Sequence, residues 1–111
     1  MKLVKHGEGA EYEVKGHTRC HVMNKLVAGK DNKRLTVGMS HFLPGGGAEM
    51  SSAPLDRVYY VLSGSIKLTG KTEKHVMGPG DLIWIGAGEE RAFEVVGSEP
   101  TTILVMGVLL D

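Results

Sequence analysis

The sequence predicts an all-β domain. Its apolar runs are short, rich in β-branched and aromatic residues, and separated by glycine-centred turn clusters. Sixteen glycines and four prolines accompany 41% hydrophobic residues, the balance of many brief strands rather than of a disordered chain. No stretch carries an amphipathic helical pattern of three turns, and no repeat of solenoid period is present. A barrel or sandwich follows, and a jelly-roll closes the strand edges best.

With 111 residues the chain is expected to form one domain around one core. Thirteen basic and thirteen acidic residues balance, which gives no electrostatic grip on nucleic acid or an anionic membrane. The single cysteine, Cys20, has no internal disulfide partner, the usage of a reducing compartment. Glu8, Glu11 and Glu13 follow the basic start where a signal peptide would need an apolar core, and no apolar run reaches membrane-spanning length. A cytoplasmic domain is the expectation.

Residues 1–34 read as N-terminal edge strands. Tyr12 and Val14 alternate with glutamates, His17 to Ala28 gives a weak strand, and residues 29–33 form a turn cluster. Leu35 to Leu43 alternates cleanly. Leu35, Val37, Met39, His41 and Leu43 share one face, expected to be the core side, with Thr36, Gly38, Ser40 and Phe42 opposite. A turn is expected at residues 44–47 and an irregular run from Ala48 to Leu55. Val58–Ser63 reads as a strand covered on both faces, turning at Ser63-Gly64 into Ser65–Thr69. After a polar turn at residues 70–74 come the short strands Leu82–Ile85 and Arg91–Val96, a turn at residues 97–100, and a closing apolar strand from Thr101 to Leu110.

The order of these strands and glycines resembles the cupins, a family of small double-stranded β-helix (jelly-roll) barrels. Its first motif runs glycine, five residues, His-x-His, three or four residues, glutamate, six residues, glycine. Gly45 and Gly64 fit its ends, which puts the ligand positions on Ser51, Ala53 and Arg57. In the second motif Gly80 and Gly88 match, while Gly86 stands for the proline, Arg91 for the histidine and Val95 for the asparagine. The resemblance covers about residues 35–108 and is most specific from Gly80 to Phe93. It implies a cupin barrel whose four metal-ligand positions are all changed. Serine is a weak neutral ligand, alanine is none, and guanidinium repels a cation and does not deprotonate in proteins. No metal and no cofactor are therefore expected. Similar small cupins pair as homodimers, so a homodimer is the expected assembly, and the extended N-terminus and the apolar C-terminal strand suit it.

In the family these positions point into the barrel, so the resemblance implies that Arg57 and Arg91 face one interior cavity. Such guanidiniums need acceptors. Protein carboxylates could supply them, with Glu49, Asp56, Glu90 and Glu94 near in sequence, or a ligand carboxylate or phosphate could do so bidentately. Ser51 and Trp84 are further ligand-binding candidates, the face of Trp84 being open. His41 is a candidate acid or base, or a core or rim histidine, and Tyr59 shares the parity of Arg57 as a possible donor. His17 and His21 share a face in a regular strand but stand about 13 Å apart, too far for one ion.

Three functions follow from this set. The first is a metal-independent barrel that binds or senses a small organic anion. The second is a metal-independent isomerase, epimerase or lyase using His41. The third is a metal cupin with displaced ligands such as His41 and Glu49.

Overall fold

The computed structural model describes residues 1–109 and is all-β among them. The strands are β1 (Ala10–Tyr12), β2 (His17–Leu26), β3 (Leu35–Ser51), β4 (Asp56–Ser63) and β5 (Ile66–Thr69). They are followed by β6 (Lys74–Met77), β7 (Leu82–Ile85), β8 (Arg91–Val95) and β9 (Thr101–Val108). Every strand pairing is antiparallel, and the main order is β6-β5-β8-β3-β9-β4-β7, with β2 added on β3 and β1 on β2. This is the jelly-roll expected from the sequence. Leu110, the last residue of the expected closing strand, lies outside the described residues. No helix long and apolar enough to cross a membrane occurs among them.

Strand β3 organises the barrel. Its first half, residues 35–42, pairs with β9, and its second half pairs with β8 through Gly47, Ala48 and Ser51. The expected turn at residues 44–47 is instead a bend within one continuous strand, and Ala48 to Ser51 remain extended. Gly45 makes the bend with a φ of 82°, a conformation that costs glycine nothing. Gly47 is required for a different reason: a Cβ there would collide with the backbone carbonyl oxygen of Phe93 on β8. The short strand β6 has no counterpart in the sequence expectation; it follows the polar turn at residues 70–74, and His75 is exposed on it.

One face assignment is corrected. Thr36, Gly38, Ser40 and Phe42 point into the barrel, whereas Leu35, Val37, Met39, His41 and Leu43 point out. The side chains of Phe42, Val61, Ile66 and Ile103 are almost fully buried and anchor a core at one end of the barrel. Phe93 stacks edge-on against both Phe42 (5.2 Å) and Tyr59 (5.7 Å), closing that core beneath an interior cavity. Each such pair contributes about 0.5–1.5 kcal/mol beyond the area it buries.

The outer face carries two apolar rows that cross five strands. Met23, Met39, Leu104, Tyr60 and Leu82 stand in register in one. Leu26, Val37, Met106, Val58 and Trp84 stand in register in the other.

Candidate functional site

A cavity of about 250 Å³ occupies the end of the barrel opposite the packed core. Its walls come from His17, Val22 and Asn24 on β2, the inward residues Thr36, Gly38 and Ser40 on β3, and Val105 and Gly107 on β9. Arg57 and Tyr59 enter from β4 and Arg91 from β8. No aspartate or glutamate is among the described residues that line it.

The two arginines are buried, Arg57 at 8% exposure and Arg91 at 6%, but they are satisfied very differently. Arg91 donates from Nε to the Tyr59 hydroxyl at 2.8 Å and from Nη1 to the Ser51 Oγ at 2.6 Å. Its Cζ also lies 5.1 Å from the Phe93 ring centroid and 5.8 Å from that of Tyr59, within cation–π range. Arg57 has the same 5.8 Å approach to Tyr59, yet its Nε and Nη2 are buried without a hydrogen-bond partner. Among the described residues neither guanidinium pairs with a carboxylate. Asp56 accepts from the Ala87 amide at 2.9 Å and Glu94 lies 4.0 Å from Lys67, so two of the carboxylates close in sequence are engaged elsewhere. Burial lowers the Arg57 pKa from its ordinary value, an effect opposed by Tyr59 and reinforced by the positive charge of Arg91.

Nε and Nη2 are neighbours on one edge of the guanidinium. Their N–H bonds run parallel and match the two oxygens of a carboxylate, the bidentate fork that makes arginine the usual partner of planar oxyanions.

The candidates divide by position. Arg57, Arg91 and Tyr59 meet at the cavity. Ser51 sits directly opposite Arg91 in register and serves as its acceptor rather than as a lining residue. His41 and Trp84 do not reach the cavity. His41 is on the outer face, 3.2 Å from the Thr102 hydroxyl and stacked 6.1 Å from His21, because the inward set of β3 is the even-numbered one. Trp84 is 61% exposed and opposes Val58 on that same outer face.

The histidine that does line the cavity is His17. A β-bulge at Arg19, whose φ is 50°, shifts the register between Thr18 and Cys20. Without it His17 and His21 would share a face; with it His17 turns inward beside Val22 while His21 stays outside, 3.1 Å from Glu11. The imidazole stacks on Phe42 at 6.0 Å and meets Phe93 edge-on at 5.7 Å. Burial lowers its pKa from 6.5, the Lys15 carbonyl opposes this, and the charges of Arg91 and Arg57 lower it further. A positive φ at a non-glycine residue is invisible to period-2 reading, so nothing in the sequence pointed to this placement.

The profile of the cupin domain family matches residues 38–107. The chain belongs to the cupin family. A curated relative, a β-D-galactosidase of Mycobacterium tuberculosis, is 30% identical over 95 residues, covering 83% of this chain and 80% of its own. Among solved structures, the polyketide cyclase RemF from Streptomyces resistomycificus superimposes with a TM-score of 0.83 at 21% identity, over 99% of this cupin and 80% of RemF. A protein described as a predicted oxalate decarboxylase from Thermotoga maritima gives 0.84 at 18% identity, over 98% and 100% of the two chains. At these identities the structural likeness establishes the fold alone.

This cupin lacks the family's usual metal-ligand residues, since Ser51, Ala53, Arg57 and Arg91 stand at those positions. Among the described residues no group of three or more histidine, cysteine, aspartate or glutamate side chains could hold a metal ion, and His41 with Glu49 forms no such group. Two buried guanidiniums at the site set a positive field. The donor set does not fit a cation.

Proposed function

We propose that this cupin binds a small organic anion in its barrel, with Arg57 as the clamp and Arg91 as a fixed positive wall. The unpartnered Nε–Nη2 edge of Arg57 carries the reading. A buried donor left without an acceptor costs about 1–3 kcal/mol, and a carboxylate laid along that edge would satisfy two at once. At about 30 Å³ per water, the cavity has room for roughly eight waters, which suits a ligand of small-metabolite size.

The galactosidase relative raises a second possibility, glycoside hydrolysis, which in most families needs two carboxyl groups about 5–9.5 Å apart. The described lining of the inner cavity offers neither. The anion reading is therefore preferred for this site.

The test is a thermal-shift screen of the metal-free protein against small carboxylates and phosphates, with divalent metals alongside. A carboxylate at about 100 times its dissociation constant should add roughly 2.7 kcal/mol. A shift with metals alone, or with nothing, would overturn the proposal.

We also propose that a second copy of the chain covers the two apolar outer rows. Five strands at about 4.8 Å and two outward rows at about 6.8 Å give a footprint near 330 Å² before corrugation. That lies within the range of the largest patch on a typical monomer, about 300–600 Å², and would form the centre of a standard interface of about 800 Å² per partner. Neither row carries a charge that would select a charged partner, and an isologous pairing matches apolar rows to themselves. Light scattering should give twice the 11.9 kDa chain mass, and Met106→Glu should give the single-chain mass with an unchanged circular dichroism spectrum. A wild-type protein that stays at the single-chain mass at about 100 μM would refute this.

A further inference from the structure

The cavity contains a second directional group besides Arg57. His17 packs against both Phe42 and Phe93, and its Nδ1 lies 3.4 Å from the Lys15 carbonyl oxygen. A carbonyl only accepts, so this contact requires Nδ1 to carry the proton. Nε2 is then the nitrogen with the free lone pair. Partial burial lowers the pKa of the imidazole from 6.5, the Lys15 carbonyl opposes this, and the two guanidiniums lower it further, which favours the neutral ring above that value. A neutral Nε2 offers a cavity ligand a hydrogen-bond acceptor.

We infer that the cavity selects a hydroxy-carboxylate, whose carboxylate lies on the free edge of Arg57 and whose hydroxyl donates to Nε2 of His17. This rests on the anion-binding reading and narrows it. An ammonium group could also donate to Nε2, but it would bring a positive charge among Arg57 and Arg91, so an amino acid is the wrong partner. A simple carboxylate would leave the oriented lone pair unused. The hydroxyl is the neutral donor that the surroundings accept, and sites built to hydrogen-bond a hydroxyl discriminate strongly against analogues without one.

His17 also lines a second, larger cleft of about 720 Å³ outside the barrel, together with Val14, Val22, Glu11 and Glu13. The imidazole therefore stands at the boundary between the two spaces. From there it can meet a hydroxyl on the outer side of a carboxylate seated deeper against Arg57.

The experiment is a ¹H–¹⁵N NMR titration of the full chain with matched pairs: lactate against propionate, 3-hydroxybutyrate against butyrate, and alanine as the ammonium control. Wild type should prefer the hydroxylated member of at least one pair by about tenfold and bind alanine no better than propionate. His17→Phe preserves the ring packing and removes the acceptor, so the preference should fall to near unity while the plain carboxylate keeps its affinity. His17→Gln provides a second variant should the phenyl ring disturb the fold, and it should retain part of the preference because its amide oxygen accepts. Equal affinity for both members of every pair in wild type would overturn the hydroxyl inference while leaving the anion site standing. Binding of neither member would remove the anion site and this inference with it. A hydroxyl preference that survives in His17→Phe would assign the acceptor elsewhere and overturn the role of His17.

Discussion

Arg57→Met is the substitution that tests the site most directly, because its two consequences have opposite signs. Without a ligand, the wild-type side chain keeps two buried donors unsatisfied, each costing about 1–3 kcal/mol. Removing the guanidinium forfeits its contact with the Tyr59 ring, worth about 0.5–2 kcal/mol in a desolvated setting. It also relieves repulsion from Arg91, while the methionine thioether fills the space of the aliphatic stem. The terms leave a gain between about 0 and 5 kcal/mol, centred at about 1–3 kcal/mol, and for a chain of this size each kcal/mol moves the melting temperature by about 4 °C. The ligand-free variant should therefore melt roughly 4–12 °C higher than wild type. The same substitution should abolish the shift of roughly 11 °C that a saturating carboxylate gives wild type. Differential scanning calorimetry with and without the carboxylate reads both effects in one experiment. A fall in melting temperature with the ligand shift intact would mean that the guanidinium supports the fold and that the anion binds elsewhere.

Two further predictions concern the frame around the site. Gly47→Ala would drive its methyl group into the Phe93 carbonyl, backbone against backbone where β3 crosses to β8, and should cost about 3 kcal/mol or more by denaturant unfolding. Gly78→Ala, with nothing within 4 Å, should stay within about 0.5 kcal/mol of wild type. The histidines make stability depend on pH with a defined sign. Burial lowers the pKa of both His17 and His41 from 6.5, so the unfolded chain binds more protons than the folded one just below that value. Stability should be at its plateau above about pH 6.5 and fall as the pH drops through that value toward the folded pKa values. His17→Gln and His41→Gln should each flatten the slope measured by urea unfolding between pH 7 and 5. A slope unchanged in both variants would assign the dependence to other groups.

How much of this was legible in the sequence follows from what each signal measures. The strand content was readable because glycine clusters and β-branched runs are local. The inward placement of Arg57 and Arg91 was readable only through the cupin resemblance, whose motifs put both at positions that face the barrel interior. The faces of β3 were not. Period-2 reading assigns the more apolar set to the core, yet here Leu35, Val37 and Met39 face outward while Thr36, Gly38 and Ser40 line the interior cavity. The rule fails where small inward residues make room for a cavity and the outer face is apolar. Phe42, in the less apolar set, was the one residue whose size argued for the true inner face. That inversion carried His41 out of the site and left Trp84 on the outside surface.

The bulge at Arg19 completes the same logic. In a regular β2, His17 would point away from the barrel, and the cavity would contain cationic donors with no oriented imidazole. One residue of left-handed backbone turns His17 into a space that Arg57 and Arg91 already make positive. Partial burial, reinforced by that field, lowers the pKa of the ring, and a neutral ring accepts where a protonated one would only donate. The changes at the metal-ligand positions thus replace one electrostatic design with another. A family site built for a cation would hold it with neutral imidazoles and a carboxylate. The present cavity holds positive charge on the protein and leaves one guanidinium edge open, and on the proposed reading the balancing negative charge arrives with the ligand.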